Sequence, residues 1–371
     1  MTHISTVKDQ RETTADGMAD ALLHRMSPTA KLTDNGRRFR SMSVLEMARE
    51  LLQGSGINVR GMDRMTLAGQ AMQSRGMGVA DFSSILANVG NKRMRLAYEE
   101  NPASYKVWAR RGQDVLNFKP ISTVQISAAP DLLHVREHGE FQYGKMLDGG
   151  ETYELLTYGR IVALTRQAMV NDDLRAFDTM LSSFGAAAAR LENRLVYSQL
   201  TSNASMSDGK ALFHADHKNL ATGSPSELQL TSLALMRSTM RQQRGLQSEE
   251  LNISPRFLIV PAALEQIAYQ LTSANYVPAR SADVNEFRQG GRTSLEPIVE
   301  PLLDSVSSSA WYAAANNSQV DTVEYCYLEG ADGPVLETQN SFNVDAMSMK
   351  CRLDFATKAI DFRGLFKANG A

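Results

Sequence analysis

The 371-residue chain is poor in cysteine, with only Cys326 and Cys351, and poor in aromatics, at 7%. Two cysteines cannot make a disulfide framework, and they point to a reducing compartment. Long apolar runs are missing as well. The longest nearly unbroken one, FLIVPAAL at 257–264, is far short of the ~20 residues that cross a bilayer as a helix. The first 25 residues have no apolar core of the kind a secretory signal needs. There is no surplus of charge of either sign: 39 Lys and Arg against 41 Asp and Glu give a formal net charge of -2. A chain with that average has no cationic excess for gripping phosphates, so any DNA near it is expected to be confined rather than held. These absences predict a soluble protein made inside a cell.

The usual sequence signs of catalysis are also absent. There is no Walker loop, no GxGxxG after a strand and no GxSxG elbow. RQGGR at 288–292 has the glycines of a phosphate loop but not its Lys-Ser/Thr pair, and reads as a plain loop. The adjacent carboxylates Asp172 and Asp173 read as a helix start. Both cysteines fall in expected strands, as buried inert thiols.

What is present is ordinary globular composition, 43% hydrophobic and 22% charged, with an uneven layout. Residues 1–40 hold twelve charged residues and one aromatic, Phe39, too little to bury much alone. SMSVLEMARELLQ follows with Ser43 and Glu46 in capping-box spacing. DFSSILANVGNKRMRLAYEEN is a second expected helix, stopped before Pro102. Two short helices on polar connectors look like an arm that docks on something else. LLHVREHGEFQYGK and ETYELLTYGRIVAL then flank MLDGG, where Asp148, Gly149 and Gly150 supply turn chemistry for a long two-stranded ribbon. Such a ribbon has no clean apolar face and needs neighbouring surface to lie on.

Next, Leu174, Phe177, Leu181, Phe184, Ala188, Leu191 and Leu195 repeat at alternating spacings of three and four. They predict one long helix, 172–201, with an unbroken apolar seam. RFLIVP reads as a buried strand and AALEQIAYQLTS as a helix with Leu264, Ile267, Ala268 and Leu271 inward. EPIVEPLL, SAWYAAA, DTVEYCYLEG and SMKCRLDFATKAIDFRGLF complete an α+β chain, mostly antiparallel.

One stretch invites a chemical reading. DGKALFHADHKNL puts His214, Asp216 and His217 within four residues of one another. As zinc ligands of a hydrolase they lack the i, i+4 helical spacing and the intervening Glu. A third ligand would have to come from His134, His138 or a distant carboxylate. Gly209, Asn219, Gly223 and Pro225 argue for a loop, so the stronger reading is an ordered loop stitched by His and Asp hydrogen bonds.

Taken together and in order, ALLHR with MSVLEMARELL, FSSILANVGNKRMRLAYEE, FKPISTVQISAAPDL, EHGEFQYG, YGRIVALTRQAMVNDDLRAF, DGKALFHADHKNLA, RFLIVPAALE, IVEPLLD, TVEYCYLEG and RLDFATKAIDFRGLFK carry a resemblance across nearly the whole chain. It resembles the tailed-bacteriophage major capsid proteins of the HK97-type fold, closest to the capsid half of prohead protease–major capsid fusion proteins. The resemblance implies an N-terminal arm with helices (1–112) and an E-loop ribbon (113–168). A peripheral domain follows (169–224, spine helix 172–201), then a mainly axial domain (225–334) and C-terminal strands returning to the peripheral domain (335–371).

It also implies a structural, non-enzymatic protein without cofactors. Hexamers and pentamers of it would form an icosahedral shell around non-specifically enclosed DNA. Portal, prohead protease and decoration proteins would be its partners, with assembly in the host bacterial cytoplasm and no membrane involved. Lys145, near the ribbon tip, matches the place of a cross-linking lysine in some relatives, but no partner Asn is evident and a solvated lysine is the plainer reading. A gene-transfer particle or a protein compartment with the same shell fits the residues equally, and the FHADH hydrolase is the remaining alternative.

Overall fold

The computed structural model describes residues 10–73, 82–101, 103–126, 148–165, 167, 170–171, 174–246, 248–273, 275, 285, 287–291, 293–340 and 346–370. The chain divides into two units, one of residues 1–102, 157–190 and 330–354, the other of 103–156, 191–329 and 355–371.

Among the described residues of the first unit, α1 (Gln10–Met26), α2 (Asp34–Arg37), α3 (Val44–Gly54), α4 (Arg64–Gln73) and α5 (Phe82–Glu99) come before the long helix. The capping box is formed as the sequence predicts, with Ser43 Oγ accepting from the Glu46 N–H and Glu46 accepting from the Ser43 N–H. The surface on which these helices dock belongs to the same chain. Met18, Leu22, Met47, Leu67 and Val89 share a core with Phe177 and Leu181 of helix α6 (Leu174–Thr201) and with Leu336, Met347 and Met349. The last three come from β10 (Val335–Asn340) and β11 (Ala346–Ala359), which pair antiparallel. Small residues such as Ala15, Ala19 and Ala21 bring the helices close enough to close this core. That is why an arm poor in large apolar side chains still packs. β4 (Leu156–Thr165) joins β11.

In the second unit, β5 (Leu220–Ala221), β12 (Leu365–Ala368), β8 (Trp311–Ala315), β6 (Pro255–Val260) and β7 (Glu296–Val299) form a mixed sheet in that spatial order. The buried run at β6 is the strand read from RFLIVP, an interior strand between β8 and β7. Helices α7 (Leu230–Arg241) and α8 (Glu265–Thr272) cover it, with Leu233, Met236, Ala268 and Leu271 buried alongside Trp311 and Phe366. Ile267, expected inward, is 40% exposed, because α8 begins only at Glu265 after a 3-10 turn at Ala262–Leu264 that resets its phase. A second ladder joins β1 (Arg110–Arg111) to β9 (Val323–Tyr327) and β9 to the end of β11.

The ribbon pairs differently from expectation. β2 (Ile121–Ile126) lies antiparallel to β3 (Asp148–Tyr153). Asp148, Gly149 and Gly150, expected at a turn, stand opposite Ile126, Gln125 and Val124 within the ladder. The alternating ISTVQI run supplied a better β partner than the local turn signal did. The expected tip residue Lys145 lies outside the described residues.

The apolar seam of α6 also departs from its expected line. Phe177, Leu181 and Ala188 are buried and Phe184 is partly so, but Leu191 and Leu195 are only half-buried, while Glu192, Val196 and Leu200 are fully buried. The side chain of Leu174 lies outside the description. A strict 3-4 repeat has period 3.5, and a straight helix of period 3.6 drifts from it by ~20° per heptad. Over the length of α6 this drift carries the buried face off the strict seam.

Candidate functional site

The FHADH loop is fully described and lies in the second unit. It leaves helix α6 at Asn203, a non-glycine residue with φ of 49°. Asn203 serves as a surrogate strand: its Oδ1 accepts the Phe213 N–H at 2.7 Å and its Nδ2 donates to the Phe213 carbonyl at 3.2 Å. Asn219, 1% exposed, accepts the His214 N–H and donates to the Leu212 carbonyl at 2.8 Å. Gln243 donates to the His217 carbonyl at 2.9 Å.

The three chemically suggestive side chains go to three different tasks. His217 is buried and stacks on Phe362 with centroids 3.7 Å apart and planes 6° from parallel. Its Nε2 is 2.7 Å from Asp208 Oδ2 and its Nδ1 is 3.2 Å from the Leu212 carbonyl. His214 Nδ1 accepts the Asp216 N–H at 3.2 Å, and Asp216 pairs with Lys210 at 2.8 Å. Among the described residues no group of three His, Cys, Asp or Glu side chains is placed to hold a metal. His134 and His138 lie outside them. The residues sit close in sequence yet face local partners, which is the stitched loop.

Burial tends to raise the Asp208 carboxyl, but hydrogen bonds from His217 and the Lys210 N–H hold it below the usual aspartate value. A lowered carboxyl contributes stability above its unfolded pKa and loses it as pH falls through the folded one, so this loop loosens in acid. His217→Ala removes both the stacked ring and the bond to Asp208, a loss of about 2 kcal/mol. The expected result is a lower thermal midpoint with an unchanged far-UV spectrum, and an unchanged midpoint would show that the loop is not held through this ring.

The base of the ribbon is built into the same unit. Glu151, 5% exposed, accepts the Ser207 N–H at 2.7 Å and faces Lys358 at 3.6 Å. Tyr153 donates its O–H to Glu324 at 2.7 Å, and burial followed by that contact pushes its phenol well above the usual range. The approach to the ribbon is bare of cover, with Leu116 75% and Phe118 52% exposed.

Two further buried carboxylates have no counterpart among the residues the sequence singles out. Glu192 Oε2 accepts from the Tyr105 hydroxyl at 2.8 Å. Glu300 accepts from Asn193 at 2.7 Å and from Ser104, whose hydroxyl is 2.9 Å from that of Tyr197. Most of these partners lie far along the chain, from Ser104 to Tyr327, so little local pattern marks them beyond Glu300 capping the short 3-10 turn at Leu302. Burial raises both thiols to about 11, which keeps Cys326 and Cys351 protonated and poor nucleophiles at neutral pH.

A protein-family profile described as phage capsid protein matches residues 150–368. No curated protein matches the chain. Among solved structures, one from Mycobacterium phage Ogopogo is 12% identical, covers 73% of this chain and 92% of its own, and superposes with a TM-score of 0.46. A virus-like particle from Pyrococcus furiosus is 10% identical over 76% of this chain and 97% of its own, with a TM-score of 0.44. The capsid of Myoviridae phage XM1 is 11% identical over 70% and 90%, with a TM-score of 0.40.

Proposed function

The chain belongs to the phage capsid protein family and is a structural, major capsid protein; from that premise we propose that it self-associates into hexamers and pentamers tiling an icosahedral shell around double-stranded DNA. The family match, spanning 150–368, is the observation that carries this reading. The mixed helix-and-sheet architecture suits an HK97-type subunit: helix α6 as spine, β2 and β3 as the stem of the E-loop, and the five-stranded sheet with α7 and α8 as the axial domain. The proposed domain limits are 1–112, 113–168, 169–224, 225–334 and 335–371.

A two-stranded ribbon is marginal in water by itself. Leu116 and Phe118 at its approach support a role in contacting a neighbouring subunit. Self-association through heterologous contacts that close gives the rings required. Portal, prohead protease and decoration proteins are the proposed partners, and the proposed site of assembly is the host bacterial cytoplasm.

Negative-stain electron microscopy of the purified protein, with light scattering for mass, tests the reading. Closed shells, or rings of five and six, are the expected result. A stable monomer carrying stoichiometric zinc would overturn it in favour of the hydrolase.

A further inference from the structure

The near-zero net charge conceals a partition along the chain. Residues 1–101 carry 14 Lys and Arg against 11 Asp and Glu, whereas residues 102–371 carry 25 against 30. The N-terminal part is therefore +3 and the remainder -5, which together give the net -2. Within the first part the excess is concentrated further: residues 25–64 hold eight Lys and Arg and four Asp and Glu.

The fold turns this segment outward. Lys31, Arg37, Arg38, Arg40, Arg49, Arg60 and Arg64 are all exposed, while the apolar residues between them, Phe39, Val44, Met47, Leu52 and Val59, are buried. The stretch is held in shape by specific contacts. Arg25 donates to the Met42 carbonyl at 2.7 Å, and Arg38 pairs with Glu50 at 2.8 Å, which ties the turn after α2 to helix α3. The acids are largely committed: Glu46 to the capping box, Glu50 to Arg38, and Asp63 to the N–H groups of Met65 and Thr66 at the start of α4. Arg40, Arg60 and Arg64 make no ion pair among the described residues.

We propose that the exposed surface of residues 25–64, with Arg40, Arg60 and Arg64 as its free cations, binds the phosphate backbone of the enclosed double-stranded DNA. The inference rests on the capsid reading and adds to it which part of the chain meets the nucleic acid. The binding is sequence-independent, because guanidinium groups on phosphates position a duplex without reading its bases. A chain that is acidic elsewhere repels the same polymer, so the partition orients the subunit relative to DNA even though its average charge holds none.

The test is fluorescence anisotropy of the full-length protein with a labelled duplex of about 30 base pairs across a salt series, with electron microscopy of each preparation. The test variant is R40E/R60E/R64E. Its control, R241E/R244E/R288E, makes the same charge change at exposed positions of the second unit. At ~50 mM salt the test variant is expected to bind at least about tenfold more weakly, and its log–log salt slope to fall by about 3, near one for each phosphate that is no longer neutralised. The control should stay within about twofold of wild type. Equal weakening in both variants, or no duplex binding by wild-type protein, would overturn the surface assignment. Failure of wild-type protein to form shells is read separately by microscopy and bears on the capsid reading instead.

Discussion

Leu181→Asp is expected to leave no soluble folded protein. Leu181 is 0% exposed, in the core shared by helices α1 to α5, strands β10 and β11 and the first half of helix α6. Replacing the leucine forfeits about 2–3 kcal/mol of apolar burial. The carboxylate that takes its place adds several kcal/mol of desolvation unless a cation is supplied. Among the described residues the cation engaged with this helix, Arg93, already pairs with Asp178 one turn away at 2.5 Å. The new carboxylate would also lie on the same helix face as Asp178, adding like-charge repulsion. Against a total stability of roughly 5–15 kcal/mol, such a sum unfolds the unit. Leu181→Met, which conserves volume, should cost less than about 1.5 kcal/mol and keep normal yield. Size-exclusion yield of the two variants gives the comparison, and near-normal recovery of the Asp variant would show that this face of α6 is not core.

What the sequence makes legible follows from the range over which each signal acts. The capping box at Ser43 and Glu46, the long helix ending at Thr201 and the buried strand at Pro255–Val260 each depend on residues within a few positions, and each is present. The FHADH loop is legible for the same reason, since Gly209 and Asn219 disfavour the helical spacing a zinc motif needs, and its histidines do bond within the loop. The ribbon is not legible because its pairing is non-local. Gly149 and Gly150 carry turn chemistry, but ISTVQI, well upstream, takes them into a ladder. The tail of the α6 seam departs from the pattern because a 3.5 repeat and a 3.6 helix part company after about two heptads. Glu192 is buried there with hydroxyl donors from Tyr105, 87 positions away, and Tyr327, 135 positions away. The charge partition is legible in principle and hidden by averaging.

The glycines of the helical unit give a sharper test of how it is packed. Gly185 lies midway along α6, where glycine costs about 1 kcal/mol relative to alanine. Its position shows what that cost obtains: a Cβ there would stand 2.3 Å from the Met94 carbonyl oxygen, 2.8 Å from the Tyr98 nitrogen and 3.0 Å from Ala97 Cβ. Two of those atoms are backbone of helix α5, so they cannot rotate away and the helices themselves must separate. Gly90, on α5, has a milder conflict, since its Cβ would meet Leu336 Cδ2 at 2.7 Å, the end of a rotatable side chain. Gly54, at the end of α3, has nothing within 4 Å.

Alanine at the three positions should therefore rank in that order. Gly185→Ala is expected to cost roughly 2–3 kcal/mol despite its helix propensity, as overpacked interiors do. Gly90→Ala should cost about 1 kcal/mol, and Gly54→Ala should be neutral or stabilise by a few tenths. Gly185→Val adds two methyls at the same close approach and a β-branched penalty, and should abolish folding of the unit. Urea midpoints followed by circular dichroism measure the series. If Gly185→Ala unfolds no earlier than Gly54→Ala, helices α5 and α6 do not touch backbone to backbone, and the core that holds the N-terminal helices on their own chain is not the one described.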